Sequence, residues 1–114
     1  TYEAAAAHTN GLIERGVTAI GTGSDLQALG SRRTITSLGL SVPEDISVIG
    51  FDDSFLMSHL SPGLTTVHQP VPAIVAAAVR NLFEALATPD YTPEHADYVF
   101  SPDLVVRATT ARAK

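Results

Sequence analysis

The chain has 114 residues, 45% of them apolar and 17% charged, which suffices for one domain with its own core or for a piece of a larger one. Seven Lys and Arg against twelve Asp and Glu give a formal net charge of −5, and the basic residues are scattered, so this segment is no electrostatic platform for nucleic acid. The absence of Cys excludes a disulfide framework and a thiolate metal site, and no apolar stretch approaches a membrane span.

Residues 2–15 predict a helix, with four consecutive Ala, Leu12 and Ile13 inside it and Gly16 as its stop. Residues 17–21 (VTAIG) form a strand candidate, and Thr22-Gly23-Ser24-Asp25 turns into a second helix. Ser24 and Gln27 have the spacing of a capping box, and Asp25 in the first turn suits the positive end of the helix dipole. That helix should run to about Leu38 and stop at Gly39. Ala28, Ser31, Ile35 and Leu38 share its inner face, leaving Arg32 and Arg33 in solvent.

Residues 46–51 make a short apolar run, rich in β-branched residues and closed by Asp52 and Asp53, the pattern of a buried parallel strand ending at a ligand edge. The following SFLMSHLSPG is a short helical turn and a loop. Its Phe55, Leu56, Met57 and Leu60 are either folded back on the core or used in an interface. Residues 64–67 form a strand, Pro70 or Pro72 opens a third helix, and Val71, Ile74, Val75, Ala78, Val79, Leu82, Phe83 and Leu86 give it the clearest stripe in the chain. Residues 88–96 are a polar loop. Residues 98–107 are a final strand broken at Ser101-Pro102, where the missing donor suggests a crossing between two sheets. Strands alternating with helices through short connections predict an α/β fold with a parallel sheet.

The catalytic inventory is thin. His8, His59, His68 and His95 are too far apart to form a local metal or base motif, and a nucleophile with an evident base is missing. Gly21-Thr22-Gly23 opens like a dinucleotide fingerprint, but Leu26 stands in the place of its third glycine and no phosphate-loop Lys follows. If the first two strands are parallel neighbours, Ser24-Asp25 and Asp52-Asp53 share one edge, where carboxylates accept bonds from ligand hydroxyls, amines or ring N–H groups. Ser24 and Asp25 equally fit a simple cap, and Asp52 and Asp53 an ordinary turn. An enzyme using Asp52 as general base needs a second catalytic partner that the sequence does not offer.

Taken together, TAIGTGSDLQALG, GLSVPEDISVIGFDD, SPGLTTVHQP and SPDLVVRATT, in this order and spacing, resemble the C-terminal part of the LacI/GalR family of bacterial transcriptional repressors. The resemblance implies an incomplete α/β, parallel-sheet, periplasmic-binding-protein-like (Rossmann-like) subdomain. Residues 1–67 would belong to the C-terminal effector-binding subdomain without its first βα unit, 68–101 to the N-terminal subdomain, and 102–114 to the closing strand and tail. It implies effector contacts at Asp52 and Ser24, with Asp25, Gln69 and Val71 completing the set, although Val71 lacks the aromatic ring some members place there. It implies dimerisation through Leu29, Phe55, Met57 and Leu60, and a basic residue, Arg107, in the closing strand. The function implied is a cytoplasmic, non-enzymatic, homodimeric sensor of a sugar or nucleoside, with no cofactor, no metal and no membrane partner. Operator DNA would be reached only through an N-terminal domain outside this chain. The alternative is a periplasmic sugar-binding protein of a transport system.

Overall fold

The computed structural model describes residues 1–88 and 98–113. Most of the predicted 88–96 loop, and His95 with it, therefore lies outside the described residues. Helix α1 spans Tyr2–Glu14, strand β1 Ala19–Gly21, helix α2 Asp25–Ser37 and strand β2 Ser47–Asp52. A 3-10 turn at Phe55–Ser58 leads to β3 at Thr65–His68, helix α3 at Val71–Ala87 and β4 at Asp103–Val105. The sheet order is β1-β2-β3-β4, with the first three strands parallel and β4 antiparallel to β3.

Local rules account for most boundaries. Gly16 and Gly39 both take φ of +76°, the left-handed stop that ends α1 and α2. Ser24 caps α2 by accepting the Gln27 N–H at 3.3 Å, but Gln27 does not close the expected box. Its Oε1 accepts from Gly23 N at 3.0 Å instead, one residue before the cap. Residues 98–102 are not in a strand: extended chain becomes a strand only where a neighbour supplies ladder partners, and β4 finds β3 only from Asp103 onward.

The chain divides into two compact units, the first comprising residues 1–68 and 103–114 and the second residues 69–102. In the first, Ile20, Ala28, Ile35, Ile46, Val48, Met57 and Leu64 form the core, with Leu12, Ile13, Leu29 and Leu60 packed around it. Helices α1 and α2 meet closely at Gly30, where an added Cβ would run into the Tyr2 carbonyl, and a buried Thr9–Ser31 hydroxyl pair at 2.9 Å joins them. Leu38 departs from the expected inner face. It is the C-terminal cap of α2 and 49% exposed, because the helix ends before its side chain reaches the sheet. Arg32 is half-buried rather than solvated, and donates to the Ser61 and Pro62 carbonyls, tying α2 to the loop after the 3-10 turn.

The closing segment does more than add an edge. Thr109, fully buried, accepts from Thr65 N and donates to the Val48 carbonyl, both at 2.8 Å, so it joins the starts of β2 and β3. In the second unit, α3 carries its stripe into solvent: Val75, Leu82, Phe83 and Leu86 all remain exposed.

Candidate functional site

The candidate site is the carboxyl edge of β1, β2 and β3. Parallel pairing sets Gly21 opposite Ile49 and Asp52 opposite His68, so Ser24 and Asp52 leave the sheet on the same side. The Thr22 amide completes the ladder to the Ile49 carbonyl at 3.0 Å.

Asp25 and Asp52 differ in their surroundings: the first is buried and the second exposed. Asp25 is 1% exposed, and its Oδ1 accepts from the Thr66 hydroxyl at 2.5 Å while its Oδ2 accepts from Ser54 N at 2.7 Å. Both oxygens are thus engaged inside the protein, where Asp25 fastens the edge from within. Gly50 belongs to the same arrangement, since a Cβ there would meet Asp25 Oδ1 and stand 2.8 Å from Leu64 Cδ2.

Asp52 is exposed and has φ of +118°, followed by Asp53 at +55°. Asp tolerates the left-handed region occupied by Asp53, but a non-glycine residue at +118° carries strain of about 1–3 kcal/mol, which persists only where surrounding contacts hold it. Ser24 is half-buried at the same edge.

Those contacts converge on Asp53. Its Oδ1 accepts from Arg107 Nη2 at 2.6 Å, and its Oδ2 lies 3.0 Å from His68 Nδ1. Arg107 also donates from Nη1 to the Leu64 carbonyl at 2.8 Å. The hydrogen bond from Arg107, aided by its charge and by His68, holds the Asp53 carboxyl below its ordinary value of 3.8, although partial burial opposes this. A depressed carboxylate pKa stabilises the fold fully above the unfolded value and loses that contribution as pH falls through the folded one. Stability should therefore decline below about pH 4, and Arg107→Gln should flatten that decline in denaturation curves measured at several pH values. An unchanged acid limb in the variant would show that other carboxylates govern it.

Gln69 and Val71 lie in the second unit, Gln69 half-buried and Val71 51% exposed at the start of α3. Of the residues expected at a dimer surface, Met57 is 6% exposed within the main cluster. Leu29 and Leu60 are half-buried against that cluster, whereas Phe55 is 80% and Leu56 63% exposed. A cleft of about 450 Å³ beside Leu29 is lined by Arg32, Arg33, Thr36 and Ser37, and one of about 230 Å³ runs between α1 and β1 past His8 and Gly21. Among the described residues no group of three or more His, Asp or Glu could hold a metal ion, and no helix is long and apolar enough to cross a membrane. Sequence reasoning missed the Arg107–Asp53–His68 cluster; the only signal for it was the basic residue Arg107, which lies two residues past β4 rather than within the strand.

A mostly parallel sheet with an exposed carboxylate at its carboxyl edge, which the chain leaves after His68 and rejoins at Asp103, has the architecture of the periplasmic-binding-protein class. Residues 1–110 match the family model described as a periplasmic binding protein-like domain. The chain belongs to the LacI/GalR family of transcriptional regulators and corresponds to a C-terminal portion of their effector-binding region. It is 49% identical over 114 residues to the HTH-type transcriptional regulator MalR of Streptomyces coelicolor, covering 99% of this chain and 32% of that protein. The transcriptional regulator CelR in complex with cellobiose superimposes with a TM-score of 0.85 at 32% identity, over 96% of this chain and 33% of that one. A LacI family regulator from Enterococcus faecium with bound ribose gives a TM-score of 0.88 at 25% identity, over 100% of this chain and 42% of that one. The chain thus spans about a third of the length of the regulator MalR.

Proposed function

We propose that this chain is the effector-sensing and dimerising part of a cytoplasmic repressor that responds to a small ligand, a sugar or nucleoside. Sugars are favoured, because two of the structural neighbours carry cellobiose and ribose. The observation that carries the proposal is Asp52, exposed at the end of β2 in a backbone conformation that its neighbours hold against strain. An ionised carboxylate there accepts bonds from ligand hydroxyls, with Ser24 at the same edge of the sheet. Ligand binding then biases a conformational equilibrium by its differential affinity, which changes operator binding through a separate DNA-binding domain. No chemical step is involved. The relatives described above are regulators, which gives the transport-receptor alternative no footing.

The test is a thermal-shift screen of the intact protein with ribose, cellobiose, sucrose and adenosine, since a ligand at a hundred times its Kd adds about 2.7 kcal/mol to stability. Asp52→Asn should remove a charge-assisted bond worth about 1.5–3 kcal/mol and weaken binding on the order of 10- to 100-fold. An undiminished shift in that variant would move the site elsewhere.

The dimer face is proposed at Phe55 and Leu56, with Leu29 and Leu60 at its border. Large apolar groups this exposed are the usual centre of an interface. Phe55→Glu should shift the intact protein from dimer to monomer in sedimentation velocity, and an unshifted dimer would place the interface on another surface.

A further inference from the structure

The Arg107–Asp53–His68 cluster lies at the carboxyl edge beside Asp52 and joins three stretches of chain that the sensor reading treats separately. Asp53 follows Asp52 in the reversal after β2. His68 is the last residue before the chain leaves the first unit, and Arg107 lies four residues beyond its return at Asp103. Arg107 is held at both ends of its reach: its backbone amide donates to Thr65 Oγ1 at 2.9 Å, and its guanidinium spans from the Leu64 carbonyl to Asp53. The Asp53 amide in turn donates to Thr66 Oγ1 at 3.4 Å, and Ser54 N to Asp25, so the reversal is pinned on its other side too. A planar guanidinium making two directed bonds at once fixes its carboxylate partner in a way that an ammonium cannot.

We propose that Arg107 is a positioning residue which, acting through Asp53, holds Asp52 in its strained, outward-facing conformation and ties it to the strands by which the chain leaves and re-enters the first unit. This rests on Asp52 being the effector contact. Its consequence is that presentation of Asp52 depends on the path of β3 and β4, so a shift in either strand is felt at the ligand edge.

The strain supplies the test, which needs no ligand. If Arg107 holds the reversal against strain, removing it frees a turn that springs open when residue 52 is Asp and stays in place when residue 52 is Gly, for which φ of +118° is relaxed. Amide hydrogen exchange in the intact protein is the readout. Arg107→Met should raise exchange at the Asp53 and Ser54 amides about tenfold, and leave the Val48 amide, bonded to the Thr109 carbonyl, within about twofold. Arg107→Lys should recover part of the protection. In an Asp52→Gly background, Arg107→Met should raise exchange at those two amides by no more than about threefold. A rise of similar size in both backgrounds, or one shared equally by Val48, would reduce Arg107 to general scaffolding and overturn the proposal. Failure of every sugar in the thermal-shift screen would instead strike the effector reading and leave the exchange result intact.

Discussion

Asp25→Ala should destabilise this protein by about 2–5 kcal/mol, because it strips two donors of their acceptor and opens a cavity. The carboxylate serves two donors, one of them, the Thr66 hydroxyl, with no solvent to turn to. Thr66 is fully buried, and Ser54 N sits at the mouth of the reversal where the chain folds back. Leaving a buried donor without its acceptor costs about 1–3 kcal/mol each time, and the lost side-chain volume adds a cavity. Asp25→Asn keeps the volume and one acceptor oxygen, so it should lose less, about 1–2 kcal/mol. Urea denaturation of the three proteins measures the series. A loss under 1 kcal/mol for Asp25→Ala would mean that water reaches Thr66 and Ser54 after all.

Gly50→Ala should be costly for a related reason. The added methyl would occupy the space of Asp25 Oδ1 and stand 2.8 Å from Leu64 Cδ2, and Leu64 is itself fully buried. Overpacking of this kind costs about 1–3 kcal/mol, and here it also displaces the acceptor of Thr66, which brings the total towards the upper end or above. The two substitutions share an atom, so their effects should not add. In an Asp25→Ala background the methyl no longer meets Asp25 Oδ1, and Gly50→Ala should cost at least about 1 kcal/mol less there than in the wild type. Additive losses in the four-member cycle would show that the clash is relieved by movement of Leu64 rather than of Asp25.

Much of the scaffold was legible from neighbouring residues. Strand β2 was marked by its β-branched run, α2 by Ser24 at one end and Gly39 at the other, and the placement of Ser24 and Asp52 at one edge followed from parallel pairing. The capping box failed by one position because Gln27 is long enough to reach either amide, and local spacing does not choose between them. Leu38 failed because periodicity says which face a residue occupies and not whether the helix lasts long enough to use it.

The division of labour among the carboxylates was not legible. Asp25, Asp52 and Asp53 look alike in sequence: acidic residues at turns after strands. Partners 29, 41 and 54 positions away, at Ser54, Thr66 and Arg107, make Asp25 an internal fastener and Asp53 an anchored ion pair, while Asp52 stays exposed. Met57 and Leu56 were equally indistinguishable as neighbours on one short turn, and only the position of that turn over Leu64 decided that Met57 is core and Leu56 surface. Most helix ends and the position of β2 follow from forces acting within a few residues, whereas the start of β4 waited on its pairing with β3. Which carboxylate meets solvent was decided by the tertiary structure alone, since burial and hydrogen-bond satisfaction are set by groups that only the folded chain brings together.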